Sequence, residues 1–587
     1  MIENPFSSTS TLPEDNDFVE KTFVEDTYVV TSFVTKRHSF IWGTRGSGKS
    51  TLLKYFEVIC QKNKYNSWQE FIGAKNSFIG IYCPLSRGML DDSKFAKLDE
   101  YSILVLPKHL LNVLISIQLI DTLIMIDEIK NKKLANELRM KQTFLDLLGA
   151  SDEIRKKIDF EKTFLEFVGN FFKAELLRIN KYIQYSPKIE MKFNCCLTDY
   201  HDYIVPLVKL IKDEYDIHIP FYFMFDDMGY APKNIQRYLN TWIANRDNNY
   251  IVVKIASNPL YYNDFKAEDG YDIDKTHDYT EIQLDYTNRT DKNTFRKNIV
   301  EIARKRLYLT TIEQKDPEAL FPVDNDHEKL FEEAKKRAFK LAQEKEIVDI
   351  NRFINRTAIS ELHKILASRK RNRSYAGLEN LILLSSGNFR NFLRLADAIL
   401  TYITEEDNID LLQLNQVSPE KQQAAIIQFS KNEFEKISEF RTDVEKSVIE
   451  KTSTLIEALC SVYKYRLKEG SFQESAITAF SIKNYNELEE EYKEIIRYAR
   501  IKGHLISKSV KTKTGNGRET IYELNKLFVP AFNLEPNDFA GKISFSNDEI
   551  AVAMKDKIEF LNNYKGKHSK QQDDEDNYYQ LVLDDIF

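Results

Sequence analysis

Hydrophobic and polar positions along the chain fall into two kinds of run. Short, continuous apolar runs predict buried strands at His38-Ser39-Phe40-Ile41-Trp42, Phe78-Ile79-Gly80-Ile81-Tyr82-Cys83, Phe221-Tyr222-Phe223-Met224-Phe225 and Tyr250-Ile251-Val252-Val253-Lys254-Ile255. Between the last two lies one helix with Ile235, Leu239, Trp242 and Ile243 at helical spacing. Strand, helix, strand with continuous apolar strands is the signature of a buried parallel sheet. Leu52, Leu53, Phe56 and Ile59 predict a helix from Thr51 to Cys60. Residues 1–35 open polar and turn-rich, then alternate into Tyr28-Val29-Val30 and Phe33-Val34.

Elsewhere the period is helical. Residues 95–215 read as a helical insertion between core strands, with charged faces at Lys130–Lys133 and Glu153–Lys157. Its apolar stretch from His109 to Ile126 is broken by Asn112, Gln118 and Asp121. That predicts a buried helix, since a membrane span needs about twenty apolar residues with few charges. Residues 294–400 are helical again; beyond 420 come helices at 451–467 and 486–502 and a hairpin at 504–524. Five segments follow: a core from 1–94 and 216–293, the insertion 95–215, a helical segment 294–415, a mixed segment 416–540, and a tail 541–587 that is acidic with apolar spots from Asp573 onward. There is no internal repeat.

At 587 residues, the chain has room for about four structural units at roughly 150 residues each. A hydrophobic fraction of 42% excludes wholesale disorder, and only 18 glycines and 14 prolines point to a mostly helical protein. The net charge of −7 argues against a basic bulk surface for nucleic acid and leaves local patches open. Five cysteines without a CxxC pair read as reduced thiols rather than a metal site. The opening Met1–Pro5 has neither a basic nor an apolar signal region, so a cytoplasmic protein without a membrane partner is expected.

The glycines that exist are concentrated. Gly43-Thr44-Arg45-Gly46-Ser47-Gly48-Lys49-Ser50 fits GxxxxGK[ST], with a strand before it and a helix, entered at Thr51, after it. Glycines let successive N–H groups turn inward around phosphate oxygens, Lys49 reaches the terminal phosphates, and Ser50 offers a hydroxyl to Mg²⁺. ATP with Mg²⁺ is the expected ligand pair. A bare glycine turn would not need the Lys-Ser pair.

Such a loop needs an acid at the end of a neighbouring strand. Two apolar runs end in paired acids, Leu123-Ile124-Met125-Ile126-Asp127-Glu128 and Phe223-Met224-Phe225-Asp226-Asp227. The first continues back through Ile120 and Ile117 as a helix would, and a charged helix follows it. The second follows a turn at Pro220 and precedes a helix and a strand, so Asp226 and Asp227 are preferred. Asp226 is the candidate metal ligand and Asp227 the residue that orients or deprotonates water. Asp227 is one methylene shorter than the glutamate usual there, which points to slow hydrolysis. Asn258, after Lys254-Ile255-Ala256-Ser257, either positions that water or belongs to a plain Asn-Pro turn. Arg390, in Ser386-Gly387-Asn388-Phe389-Arg390, stands at a helix start, where it could reach a γ-phosphate or simply face solvent.

Together these pieces resemble the AAA+ ATPases of the origin-recognition initiator type. The resemblance rests on Asn4-Pro5-Phe6, the phosphate loop, the paired acids, Ile255-Ala256-Ser257-Asn258, Gly387-Asn388-Phe389-Arg390, and a C-terminal stretch from Gly503-His504-Leu505-Ile506 to Pro530-Ala531-Phe532. It implies an α/β P-loop AAA+ core, a helical lid over 294–415 and a winged helix over 416–540. It also implies that Asn258 is the sensor-one residue and Arg390 the sensor-two arginine. ATP-dependent homo-oligomers are implied too, with an arginine finger for which Arg246 and Arg289 are both candidates. By analogy with bacterial relatives, the chain is expected to serve an anti-phage or mobile-element system beside an effector protein. An ATP-stabilised scaffold holding a toxin or nuclease, and a DNA-loading or translocating motor, are the alternatives. In the C-terminal segment, acids at Glu487–Glu494 disfavour groove binding by helix 486–502. The hairpin cations Lys508, Lys511, Lys513 and Arg518 and the basic run Arg369-Lys370-Arg371-Asn372-Arg373 are the candidate DNA or RNA contacts.

Overall fold

The computed structural model describes residues 4–7, 16–85, 88–156, 161–186, 193, 196–245, 248–285, 291–406, 411–439, 445–469, 477–511, 518–537 and 542–567. The chain divides into one unit spanning Thr9–Thr294 and another spanning Phe295–Phe587 together with Met1–Ser8.

In the first unit, α1 (Asn16–Thr22) and α2 (Thr27–Phe33) precede β1 (His38–Trp42). The alternating stretch near Tyr28 is thus helical rather than extended. Asp26 caps it by accepting the Val29 N–H at 3.1 Å, and Val29 and Phe33, four apart, bury one face. After β1 come α3 (Lys49–Tyr55), β2 (Ile79–Pro84), β3 (Phe221–Asp226), β4 (Ile251–Ser257) and β5 (Tyr279–Gln283). All five strands pair in parallel, in the order β2-β3-β4-β1-β5. β3 and β4 are buried at every position, which explains their unbroken apolar spelling. β5, an edge strand with only Tyr279 and Ile282 buried, has no such run. Gly80 on β2 permits a close approach, since a Cβ there would stand 2.0 Å from the Phe56 carbonyl oxygen at the end of α3.

Every described element between β2 and β3 is helical, chiefly α4 (Glu100–Ile124) and α5 (Phe164–Tyr185). They run antiparallel: Ser102 Oγ meets the Tyr182 hydroxyl at 3.4 Å, and Lys173 donates to Asp121 at 2.8 Å. α4 is long and apolar enough to cross a membrane, yet 67% of that window is buried within the protein. Two of its buried polar residues are bonded internally: Asn112 Nδ2 donates to the Thr198 carbonyl (2.8 Å) and the Tyr238 hydroxyl (2.9 Å), and His109 Nδ1 accepts the Thr198 N–H (3.2 Å).

A lysine of this unit lies wholly inside it. Lys254 of β4 is fully buried, and its Nζ donates to the Arg37 carbonyl (2.9 Å), the Thr35 carbonyl (3.1 Å) and Ser39 Oγ (3.1 Å). Burial pulls its pKa well below the usual lysine value. Below that usual value the unfolded chain therefore binds more protons at this site than the folded one, so the site's contribution to stability rises with pH. Lys254→Met should flatten the rise in unfolding free energy as pH climbs toward the ordinary lysine range. The slope removed is at most about 1.4 kcal/mol per pH unit, readable by urea unfolding at stepped pH.

Between β3 and β4 lies α6 (Lys233–Ala244), and after β5 α7 (Lys292–Tyr308) leads into the second unit, where α8 (Asn325–Glu344) and α9 (Ile350–Ser368) pair over Leu330, Ala334, Leu362, Ile365 and Leu366. α10 (Phe389–Glu405), α11 (Pro419–Glu435) and α12 (Lys446–Glu469) follow. Then come β6 (Ala479–Ile482), α13 (Glu490–Ile501), β7 (Leu505–Lys511), β8 (Arg518–Leu524), β9 (Ile543–Phe545) and α14 (Asn547–Lys555). The second sheet has the order β7-β8-β6-β9. Asn4-Pro5-Phe6 belongs here. Phe6 is fully buried beside Phe321 and Phe392, Asn4 Nδ2 donates to the Asp397 carbonyl at 3.1 Å, and Arg306 donates to the Pro5 carbonyl at 3.1 Å.

Arg373 leaves the basic run to which its sequence neighbours assign it. It is buried, its Nε and Nη2 donate to Glu535 at 3.0 and 3.3 Å, and its Nη1 donates to the Ser374 carbonyl at 2.6 Å. Arg369 pairs with Glu333 at 2.7 Å. Burial alone would raise the Glu535 carboxyl, but the Arg373 charge and the neighbouring His363 outweigh it and hold it at about 2. Burial, with Arg373 adding to it, pushes His327 down to about 4.

Candidate functional site

β1 stops at Trp42 and α3 starts at Lys49, so the loop leaves the carboxyl edge of the sheet. In open parallel sheets, ligands bind beyond that edge, where the strand order reverses. Gly46 and Gly48 take φ values of 91° and 95°, which residues with a Cβ rarely adopt. Gly43 donates to the Ser257 carbonyl at 3.2 Å, and a Cβ on it would stand 2.2 Å from Ser47 Oγ. Lys49 is buried and donates to the Gly43 and Thr44 carbonyls at 2.9 and 3.0 Å. Ser47 Oγ is buried without a hydrogen-bond partner. Arg45 is exposed, and Ser50 and Thr51 lie in the first turn of α3. This donor set, with its orphaned hydroxyl and main-chain amides in left-handed turns, fits a polyphosphate.

The paired acids leave the same edge. Trp42 stands opposite Ser257, and Phe225 opposite Ile255. Continuing that register sets Asp226 level with Ala256 and Asp227 level with Ser257. β3 lies two strands from β1, about 10 Å at ordinary strand spacing. Asp226 is buried, accepting the Tyr82 hydroxyl on Oδ2 at 2.8 Å and the Asp227 N–H on Oδ1 at 2.9 Å. Burial first, then the charges of Asp226 and Asp227, raise the Tyr82 phenol far above its usual range, so it stays a donor. Asp227 is exposed, with left-handed backbone at φ 55° and ψ 27°. Asn258 follows β4, where its Oδ1 accepts the Leu260 N–H at 2.9 Å and stabilises the turn. The competing pair lies elsewhere: α4 ends at Ile124, Asp127–Lys130 form a separate helical turn, and Glu128 accepts Lys62 at 2.5 Å.

Residues 4–545 match the family model described as ORC-CDC6-like. The chain belongs to the ORC-CDC6-like family. It is thereby an ORC/CDC6-type AAA+ ATPase. No curated protein matches it. The ORC-CDC6-like match runs from Asn4, in the second unit's buried tripeptide, to Phe545, the last residue of β9, and so takes in both units.

The other candidate residues of this ORC-CDC6-like chain are placed as follows. Arg390 is half-buried in the first turn of α10, in the second unit. Asn388 caps that helix by accepting the Asn391 N–H at 3.2 Å, and Gly387 just before it takes φ 74°, a left-handed turn that favours glycine. Arg246, Arg289, Lys513 and the acidic tail from Asp573 lie outside the described residues. On the hairpin, Lys508 is paired across strands with Glu523, Lys511 ends β7, and Arg518 is exposed at the start of β8. Two residues had no signal in the sequence: Tyr82, which holds Asp226 from far along the chain, and Asp285, which accepts the N–H and hydroxyl of Thr44 at the loop.

Proposed function

We propose that this chain is an ATP-binding, slowly hydrolysing switch. It oligomerises and couples its nucleotide state to a nucleic acid or an effector protein, as the ATPase component of an antiviral defence system. One observation carries the reading: a GxxxxGK[ST] loop and a buried aspartate leave the same edge of a parallel sheet in an ORC-CDC6-like chain. In this reading the main-chain amides of Gly46–Lys49 hold the phosphates, and Lys49 leaves the Gly43 and Thr44 carbonyls for the terminal phosphate. Ser50 and Asp226 would hold Mg²⁺, which neutralises charge on the transferred phosphoryl group. Tyr82 and the Asp227 N–H fix the Asp226 carboxylate. Asp227 and Asn258 orient water, Arg390 acts as the sensor-two arginine of a lid, and the β7–β8 hairpin is the wing of a winged helix.

A second reading is a low-turnover scaffold for a toxin or nuclease. The exposed, short Asp227 in the water-orienting place favours it. The test is ATP binding and turnover by the full chain, with and without duplex or single-stranded DNA, against Lys49→Ala. Wild-type binding lost in Lys49→Ala is expected; equal binding by both would refute nucleotide use at this loop. DNA-stimulated turnover supports the switch, and tight ATP retention without turnover supports the scaffold.

A further inference from the structure

We infer that Asp285 is a positioning residue for nucleotide binding, clamping the first turn of the phosphate loop. The inference rests on reading that loop as the nucleotide site. Its origin is the sheet register. β1 and β5 run parallel, with Trp42 opposite Gln283. Two residues beyond each strand end, the same register brings Thr44 beside Asp285. There the Thr44 N–H donates to Asp285 Oδ2 at 2.5 Å, and the Thr44 hydroxyl to Oδ1 at 3.1 Å.

The match of groups is specific. Thr44 offers two donors, and a carboxylate offers an acceptor on each oxygen, whereas an amide would offer only one. Thr44 is held from its other side too, because its carbonyl accepts Lys49 Nζ at 3.0 Å. Thr44, the second residue of the loop, is therefore held at its N–H by Asp285 and at its carbonyl by the phosphate-seeking lysine. Without Asp285 the Thr44 N–H and hydroxyl lose their shared acceptor, and the aim of the amides that follow loosens. When Lys49 moves to a phosphate, Asp285 still holds the Thr44 N–H and hydroxyl, beside the Ser47 N–H that donates to the Thr44 carbonyl at 3.2 Å.

The test is a fluorescence titration of the full chain with mant-labelled ATP, alongside thermal unfolding. Hydrogen bonds to charged groups predict that Asp285→Ala weakens binding about tenfold and Thr44→Val about threefold. The double variant should be no weaker than Asp285→Ala alone, within about twofold, because both changes break one contact. Asp285→Asn, which keeps one acceptor, should recover part of the loss, and unfolding temperatures should stay together. The proposal is overturned if Asp285→Ala binds as wild type does or if the two losses are additive. It is equally overturned if both Asp285 variants bind more tightly, which would make the carboxylate a source of repulsion. Failure of the loop assignment looks different: wild type itself would not bind, or Lys49→Ala would bind equally well.

Discussion

Asp226→Asn is expected to cut ATP turnover at least about 100-fold while leaving nucleotide affinity nearly intact, because a metal acid contributes several kcal/mol to the charged transition state. The side chain is buried at the sheet edge and oriented by donors on both oxygens, Tyr82 on one and the Asp227 N–H on the other. An amide there would keep the volume, lose the charge, and turn one NH₂ toward those donors. Asp127→Asn is the matched control. It begins a helical turn that is not at a strand end, and its neighbour Glu128 is engaged with Lys62. Steady-state turnover with mant-nucleotide binding on the same preparations checks the pair. If Asp127→Asn lost turnover and Asp226→Asn kept it, the assignment of the acid would move to the insertion.

The second large effect concerns stability. Glu535→Ala should cost the second unit about 3–5 kcal/mol, since it leaves the buried Arg373 charge without its carboxylate. Replacing both partners with apolar residues, as in Arg373→Met with Glu535→Leu, should recover most of that loss. The pH dependence gives an independent check. Glu535 is held at about 2, below its unfolded value, so its contribution is present above about pH 4.3 and is lost as pH falls toward 2. His327, pushed down to about 4, adds a loss that begins as pH falls below about 6.5. Calorimetric unfolding from neutral to acid pH should show a steeper decline in wild type than in the double apolar variant. Equal slopes would remove Glu535 from this role.

Much of the first unit was legible because its central strands are buried on both faces and so spell continuous apolar runs, with the loop's glycines set between a strand and a helix. Flanking context also separated the two acid pairs, since Pro220 and the helix after Asp227 mark a strand end. What escaped was whatever depends on pairing across the chain. β5 alternates buried Tyr279 and Ile282 with half-exposed Thr280 and Glu281, too mixed to stand out, and Asp285 was hidden with it. Arg373 spelled a solvated basic run because nothing near it in sequence announces Glu535. Gly387 and Asn388, read as signature residues, also do ordinary structural work, one in a left-handed turn and the other as the cap of a helix.

The placement of Phe6 has a practical corollary for anyone shortening or tagging this protein. Its aromatic ring is a core side chain of the half whose remaining sequence begins almost three hundred residues later, at Phe295. Clipping the leading octapeptide would therefore hollow out the distal half instead of trimming a loose end. A fragment started at Phe295 would lack an interior piece, so the two halves are poor candidates for separate expression.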